Sequence, residues 1–373
     1  MRINRRILAP AALLLTTNLY AVQEVKPEWN VAFFSFADNR EYEPAQHQLP
    51  QSILGSWLIP EVGLRFDSVH RLHAGVGLQH YFGSADKALQ QVEYVAYYRY
   101  NSKPFELYVG SFPARRLLAD YPNALFYDSI VNLRLNSANI FWKIFGEQWH
   151  ADIWLDWSGR QTETQRETFL VGIAGKYRLK KAYVALQSYM HHFAHAAGNI
   201  DQHIVDNGMA RLCVGVSMPV GFLLDSLNVN AGMLGAYSRE RGVDPRYQFS
   251  GGFFSEVTLE KFGIGVKNTL YAGENLMPLH NKYNAEHLYW GDPFYQNTFY
   301  NRSDFYVYIF DTNKIQARFT WSMHAAAGLI SNQQMFTLTV NLGSQTKAGA
   351  KRNNRRTLAA ELGKLGKANV ITN

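Results

Sequence analysis

The sequence predicts an all-β protein: a transmembrane, antiparallel, up-and-down β-barrel of about sixteen strands, with fourteen as the alternative count. Three observations carry this. Runs of about ten residues alternate apolar and polar side chains. The links between them sort by length into two sets. After the first twenty residues no stretch reaches the roughly 18 uninterrupted apolar residues of a membrane helix. A period of two puts one set of side chains on each face of a strand. Leu72, Ala74, Val76 and Leu78 alternate with His73, Gly75, Gly77 and Gln79, and Phe336, Leu338, Val340 and Leu342 with Thr337, Thr339 and Asn341. Runs this long and this numerous suit strands that cross a bilayer, with lipid on one face and a lumen on the other.

Taken in order, strands are expected at 28–38, 53–66, 71–83, 91–101, 104–112, 138–145, 149–158, 167–180, 182–193, 208–219, 226–239, 247–261, 263–273, 303–311, 315–328 and 333–342. Links after even-numbered strands are mostly tiny (67–70, 102–103, 146–148, 181, 262, 312–314), while 220–225 is somewhat longer. Links after odd-numbered strands include the long segments 39–52, 113–137, 194–207 and 274–302. Outer-membrane barrels keep short turns in the periplasm and long loops outside, so an even count leaves both termini periplasmic. Two links strain the scheme: 113–137 has room for a further strand at Ile130–Leu135, and 329–332 is short for an outer loop.

The ends agree with secretion to the outer membrane of a Gram-negative bacterium. Residues 1–21 read as a cleaved signal peptide, with Arg2, Arg5 and Arg6 before a short apolar run and Ala21 at the cut. Residues 22–342 form the barrel. Residues 343–373 form a basic periplasmic tail, expected to be disordered, in which seven Lys and Arg face the single acid Glu361. That tail holds +6 of the formal net charge of +7, so the barrel itself is nearly neutral and no nucleic-acid partner is expected. Aromatics at 14% against charged residues at 18% fit girdles at the two membrane interfaces. The single cysteine, Cys213, excludes an intrachain disulfide.

Alternation assigns an inward set: Glu61, Arg65, Arg71, His73, Glu93, Arg99, Glu106, Asp152, Asp156, Lys176, Arg211, Glu256, Glu260, Lys267 and Arg318. A charge facing hydrocarbon costs roughly 2–4 kcal/mol at midplane, so these side chains meet water or each other. Their balanced signs permit either a wet channel or a salt-bridged closure. Inward glycines (Gly75, Gly77, Gly172, Gly215, Gly232) either leave room in the bore or bend the wall. Segment 113–137, with Arg115 and Arg116, is the candidate constriction loop, alongside 274–302.

Local clusters add alternatives. His191, His192 and His195, with His203 beyond, are suited to a divalent ion, but no acid pair or cysteine completes a shell apart from Asp201, so no metal or other cofactor is expected. Tyr283, Tyr289, Trp290, Phe294, Tyr295, Phe299 and Tyr300 in 274–302 form either an external glycan platform or loop packing. Asp152 and Asp156 resemble a carboxylate pair, yet no matching histidine or oxyanion hole is identifiable.

The segments Asp38-Asn39-Arg40-Glu41-Tyr42, Gly55–Gly63 (GSWLIPEVG), His70–Gly77 (HRLHAGVG), Gly110-Ser111-Phe112-Pro113 and Phe126-Tyr127-Asp128-Ser129 resemble a family of uncharacterised porin-like outer-membrane barrels of Bacteroidota. The resemblance implies envelope and barrel and no substrate. The tail after Leu342 departs from it, since such chains usually end with an aromatic residue on the last strand.

The expected function is a passive porin-like channel for small hydrophilic solutes, embedded in outer-membrane lipid, and not an enzyme. The alternative is a non-conducting barrel serving assembly or surface binding of a glycan or protein. Its basic tail would then contact peptidoglycan or a periplasmic partner. The oligomeric state is left open.

Overall fold

The computed structural model describes residues 25–43, 45, 47–84, 87–114, 121–134, 136–199, 202–221, 223–283, 288–344 and 357. The expected signal peptide, Arg115, Arg116 and the tail beyond Ser344 (save Thr357) lie outside the described residues.

Sixteen antiparallel strands close into one barrel. They are β1 (Lys26–Glu41), β2 (Gln51–Arg65), β3 (His70–Tyr81), β4 (Gln91–Ser102), β5 (Phe105–Pro113), β6 (Asn136–Phe145), β7 (Trp149–Gly159), β8 (Thr168–Leu179), β9 (Ala182–Phe193), β10 (Val205–Val220), β11 (Leu224–Glu240), β12 (Asp244–Lys261), β13 (Ile264–Gly273), β14 (Phe299–Asp311), β15 (Ile315–Ala326) and β16 (Leu329–Gly343). Each strand pairs with its sequence neighbours, and β1 closes on β16 from Asn30↔Gly343 to Glu41↔Asn332. Closure leaves no unpaired edge, the condition for a sheet in hydrocarbon. No helix among the described residues is long and apolar enough to cross a membrane, so the crossing is made by strands.

The outward face is apolar and bare: Val62, Tyr94, Val214, Met233 and Phe249 stand more than half exposed. A continuous band of this kind is tolerated only against lipid, which makes this an outer-membrane barrel. The short turns fall at one end. At the other end lie the long links between β1 and β2, β5 and β6, β9 and β10, and β13 and β14. Two outer links are tight, however. Residues 327–328 join β15 to β16 with both Ala327 and Gly328 at positive φ, the two-residue turn that matches strand twist.

The bore departs most from expectation. At sixteen strands a barrel is wide enough for an aqueous channel, but here two outer links fold inward. The β5–β6 link carries helix α1 (Asp128–Leu133) where the sequence left room for a strand at Ile130–Leu135. The β13–β14 link carries α2 (His280–Tyr283) and a 3-10 turn (Pro293–Gln296). Leu125, Phe126, Met277, Trp290, Phe294 and Tyr295 of these links are buried against Phe112, Trp154, Leu170, Tyr189, Leu234, Phe254 and Tyr300 of the inner wall. The inner wall therefore carries an apolar patch in its extracellular half, which packs on protein, beside the buried polar residues Asp38, Arg40, Arg302, His324 and Gln333. Each apolar side chain of the patch contributes roughly 1.5–3 kcal/mol on full burial. Of the loop aromatics, Tyr283, Trp290, Phe294, Tyr295 and Tyr300 are buried, whereas Phe299 is exposed.

Gly172 and Gly215 make room for large neighbours rather than for solvent, whereas Gly75 and Gly232 stand against the backbone of the adjacent strand. A Cβ on Gly172 would lie 2.1 Å from the Trp154 ring, and one on Gly215 would lie 2.5 Å from the Tyr183 ring. Trp154 in turn donates its indole N–H to the Tyr121 hydroxyl of the plug at 2.9 Å. Gly172→Ala is therefore expected to displace Trp154 and destabilise the folded barrel by about 1–3 kcal/mol, read as a lowered urea midpoint in detergent. The same change at Gly221, whose Cβ would meet nothing but whose φ is +56°, acts only through backbone strain and leaves the plug intact to protease.

Candidate functional site

One arginine ties both inward links to the wall at once. Arg302, inward on β14, is buried among three carboxylates. Its Nε donates to Asp304 on the same strand at 2.6 Å, and its Nη1 donates to Asp128 at the start of α1 at 2.9 Å. Asp292, which caps the 3-10 turn, lies 4.0 Å away. Asp292 also accepts from Gln48 and from the Phe294 amide, both at 3.0 Å. Burial pushes its carboxyl up to about 6 despite the attraction of Arg302. The Tyr300 hydroxyl sits 2.8 Å from His324 Nδ1, and the Tyr42 hydroxyl sits 3.4 Å from Nε2. At the rim above, Leu288 is held by His191, 2.9 Å from its carbonyl, and by Asn207, which donates to the same oxygen at 3.0 Å.

The fifteen inward residues expected from the sequence separate by height. Near the periplasmic end Glu28 lies 3.5 Å from Arg65, 3.4 Å from Arg71 and 3.9 Å from His73. Glu61 accepts from the Tyr97 hydroxyl at 3.0 Å, and Arg99 pairs with Glu106 at 2.7 Å. Across the barrel Lys267 pairs with Glu256 at 2.9 Å, Glu260 accepts from Tyr306 at 3.0 Å, and Arg318 lies over the Tyr306 ring. Glu93 sits at the extracellular end of β4, where it accepts from Gln91 at 2.7 Å. Asp152, Lys176, Arg211, Glu256 and Lys267 line a cavity of about 250 Å³ in the periplasmic half, below Tyr121 and Pro122. Asp156 lies instead 3.9 Å from Arg134. Asp152 and Asp156 thus serve different surroundings, and the carboxylate pair does not form one site.

The histidine run is split by strand geometry: His191 faces the plug, His192 faces outward, and His195 lies 2.9 Å from the Ala196 carbonyl. No three-residue His/Cys/Asp/Glu cluster for a metal occurs among the described residues.

His192 opens a second constellation, on the outer wall at its extracellular end. Register pairs Phe169 with His192, His192 with Asp206, and Asp206 with Arg239, which aligns four strands' side chains in one row. His192 Nδ1 is 2.8 Å from Asp206 Oδ1. Arg239 and Arg241 donate to Asp206 Oδ2 at 2.7 and 2.9 Å. Trp157 and Phe169 stack on one flank, and Tyr247 lies under Arg239 on the other. The carboxylate is almost enclosed, whereas the His192, Arg239 and Arg241 side chains are 19%, 20% and 46% exposed. With Nδ1 on the carboxylate, Nε2 is left for a second partner. This is an imidazole held in one tautomer by an acid, beside two cations, near the extracellular ends of β9 to β11. The sequence missed it because Asp206 lies fourteen residues from His192 and only strand register joins them; the acid considered there, Asp201, lies outside the described residues.

Fold and site together define a plugged, sixteen-stranded outer-membrane barrel with a polar row on its lipid face. The chain belongs to the lipid A 3'-O-deacylase-type family, whose model matches residues 23–346. An enzyme family corrects the expectation that this is not an enzyme. Among solved structures, the anion-selective porin from Comamonas acidovorans matches at 9% identity and TM-score 0.50, over 86% of this chain and 100% of that one. A loop-deletion mutant of OmpT from Vibrio cholerae matches at 8% identity and TM-score 0.50, again over 86% and 100%. At these identities the likeness shows the fold. No curated protein matches the chain.

Two outcomes test the latch. Arg302→Met strands two buried carboxylates, Asp292 and Asp304, and the partly buried Asp128, and is expected to cost about 3–5 kcal/mol, with new protease cleavage in 121–134 while the strands stay protected. The raised Asp292 carboxyl binds its proton more tightly folded than unfolded. Its contribution is therefore most favourable at acid pH and falls as pH rises from about 4 through about 6. Asp292→Asn is expected to flatten that part of the stability–pH curve, measured by urea titration at pH 4.5 and 7.

Proposed function

We propose that the protein hydrolyses an ester-linked acyl chain on a lipid A-type glycolipid of the outer leaflet, at the outer-wall row centred on His192. The observation that carries this reading is the His192–Asp206 pair with Arg239 and Arg241 on the lipid-facing side. Ester hydrolysis needs a nucleophile, a base and a stabiliser of the developing oxyanion. His192 has no hydroxyl partner, its described contacts being Asp206 and Phe169, so water is the nucleophile. Nε2 takes a proton from that water as its oxygen attacks the ester carbonyl. The resulting imidazolium, stabilised by Asp206, returns the proton to the departing sugar oxygen as the carbon–oxygen bond breaks. The free acid and the sugar hydroxyl are the products. Arg241, the more exposed cation, suits the oxyanion or a headgroup phosphate, while Trp157 and Phe249 offer apolar surface to acyl chains.

A passive channel is the second reading, favoured by the barrel's girth and its periplasmic cavity. The packed plug weighs against it. Mass spectrometry of lipid A after incubation with the folded protein in outer-membrane lipid separates the two. Loss of one ester-linked chain is expected, reduced about 10²–10⁴-fold in His192→Ala and strongly reduced in Asp206→Asn. Planar-bilayer recordings of the same preparation are expected to be silent. Discrete conductance steps with intact lipid A would overturn the hydrolase reading.

A further inference from the structure

The cavity beneath the plug has no part in the hydrolase reading. Its walls come from the periplasmic halves of β6 to β13, its roof is Tyr121 and Pro122, and none of the connecting turns lines it among the described residues. It therefore faces the periplasm, on the opposite side of the membrane from the His192 row. Its charge is unbalanced: Lys143, Lys176, Arg211 and Lys267 face the two acids Asp152 and Glu256. Lys267 is matched by Glu256 at 2.9 Å.

Arg211 is the informative group. It is 6% exposed, and its guanidinium hydrogen-bonds only neutral partners, although Glu256, already paired with Lys267, lies near enough to interact with its charge. Asn230 accepts from Nη2, Gln187 accepts from Nη1 at the long distance of 3.5 Å, and the Phe254 ring lies 4.7 Å from Cζ. Its Nε–H is buried and has no hydrogen-bond partner. A buried, charged donor left unmatched is costly. A forked guanidinium with a spare N–H is suited to a planar or tetrahedral anion. Lys176 packs over the Tyr183 ring at 4.1 Å beside it, which keeps a second cation at the same wall.

We propose that this cavity is a binding site for a small organic dianion from the periplasm, a phosphate monoester or a dicarboxylate of sugar size, gripped by Arg211 and Lys176. Two net positive charges call for two negative ones, and a cavity of about 250 Å³ admits a single sugar-sized molecule and not a polymer.

Isothermal titration of the folded full-length protein in detergent tests this, with glucose 6-phosphate, succinate, inorganic phosphate and glucose as probes. Glucose 6-phosphate or succinate is expected to bind, to weaken as salt is raised, and to lose at least tenfold in affinity in Arg211→Met. Glucose is expected not to bind. Lys176→Met, at a less buried wall position, gives the same readout should Arg211→Met fail to fold. Binding of inorganic phosphate alone would narrow the ligand to the free ion and overturn the organic assignment. Affinity unchanged in both variants, or no heat from a protein with intact heat-modifiable mobility, would overturn the site. Lipid deacylation by the same preparation is unaffected by either result.

Discussion

The interior is organised around one arginine that meets three carboxylates. Arg302 touches β14, α1 and the 3-10 turn of the β13–β14 link at once. A lone cation there would be untenable in a dry bore, and so would two carboxylates brought in by the links. Each group is tolerable only because the others arrive. The aromatic packing between the two links and the wall then supplies the bulk of the cohesion. That packing is non-directional, whereas the ion cluster fixes which face of each link meets which strand.

This division of labour changes what the girth of the barrel means. Sixteen strands are ordinarily an argument for conduction, because the interior exceeds what wall side chains can fill. Here the missing volume is supplied by backbone from the links, and the charged residues of the wall are left in separate networks near the periplasmic end. The polar chemistry is thereby moved to two places: a rim row that faces lipid, and a cup that faces the periplasm. A lipid hydrolase has no need of a water path through its centre, and the packed bore is consistent with that.

The barrel was legible in the sequence because period-two alternation acts on every strand and link length sorts by membrane side. Even the troublesome links had readable chemistry, as with Ala327–Gly328. The links 113–137 and 274–302 stood out by length as candidates to constrict the bore, but their apolar packing against the wall was not legible, because Phe112, Trp154 and Tyr189 interrupt the polar face singly, and a lone inward aromatic is indistinguishable from a girdle residue. Segment 128–133 has β-branched residues that favour a strand, yet Asp128 is held at its first turn by Arg302, far along the chain. The outer-wall row was hidden for a related reason. His192 was visible as part of a histidine run, but its acid and its arginines lie on β10 and β11, and only register brings them level.

The order of the latch along the chain has a consequence for biogenesis. Residues 121–134 must lie inside the bore before it is sealed, but the arginine that retains them lies on β14, 174 residues beyond Asp128 along the chain. The latch therefore joins distant parts of the chain and forms only once both have arrived. A wall that closed without that contact would hold Asp128 and Asp292 without their cation, and would leave a leak in the permeability barrier.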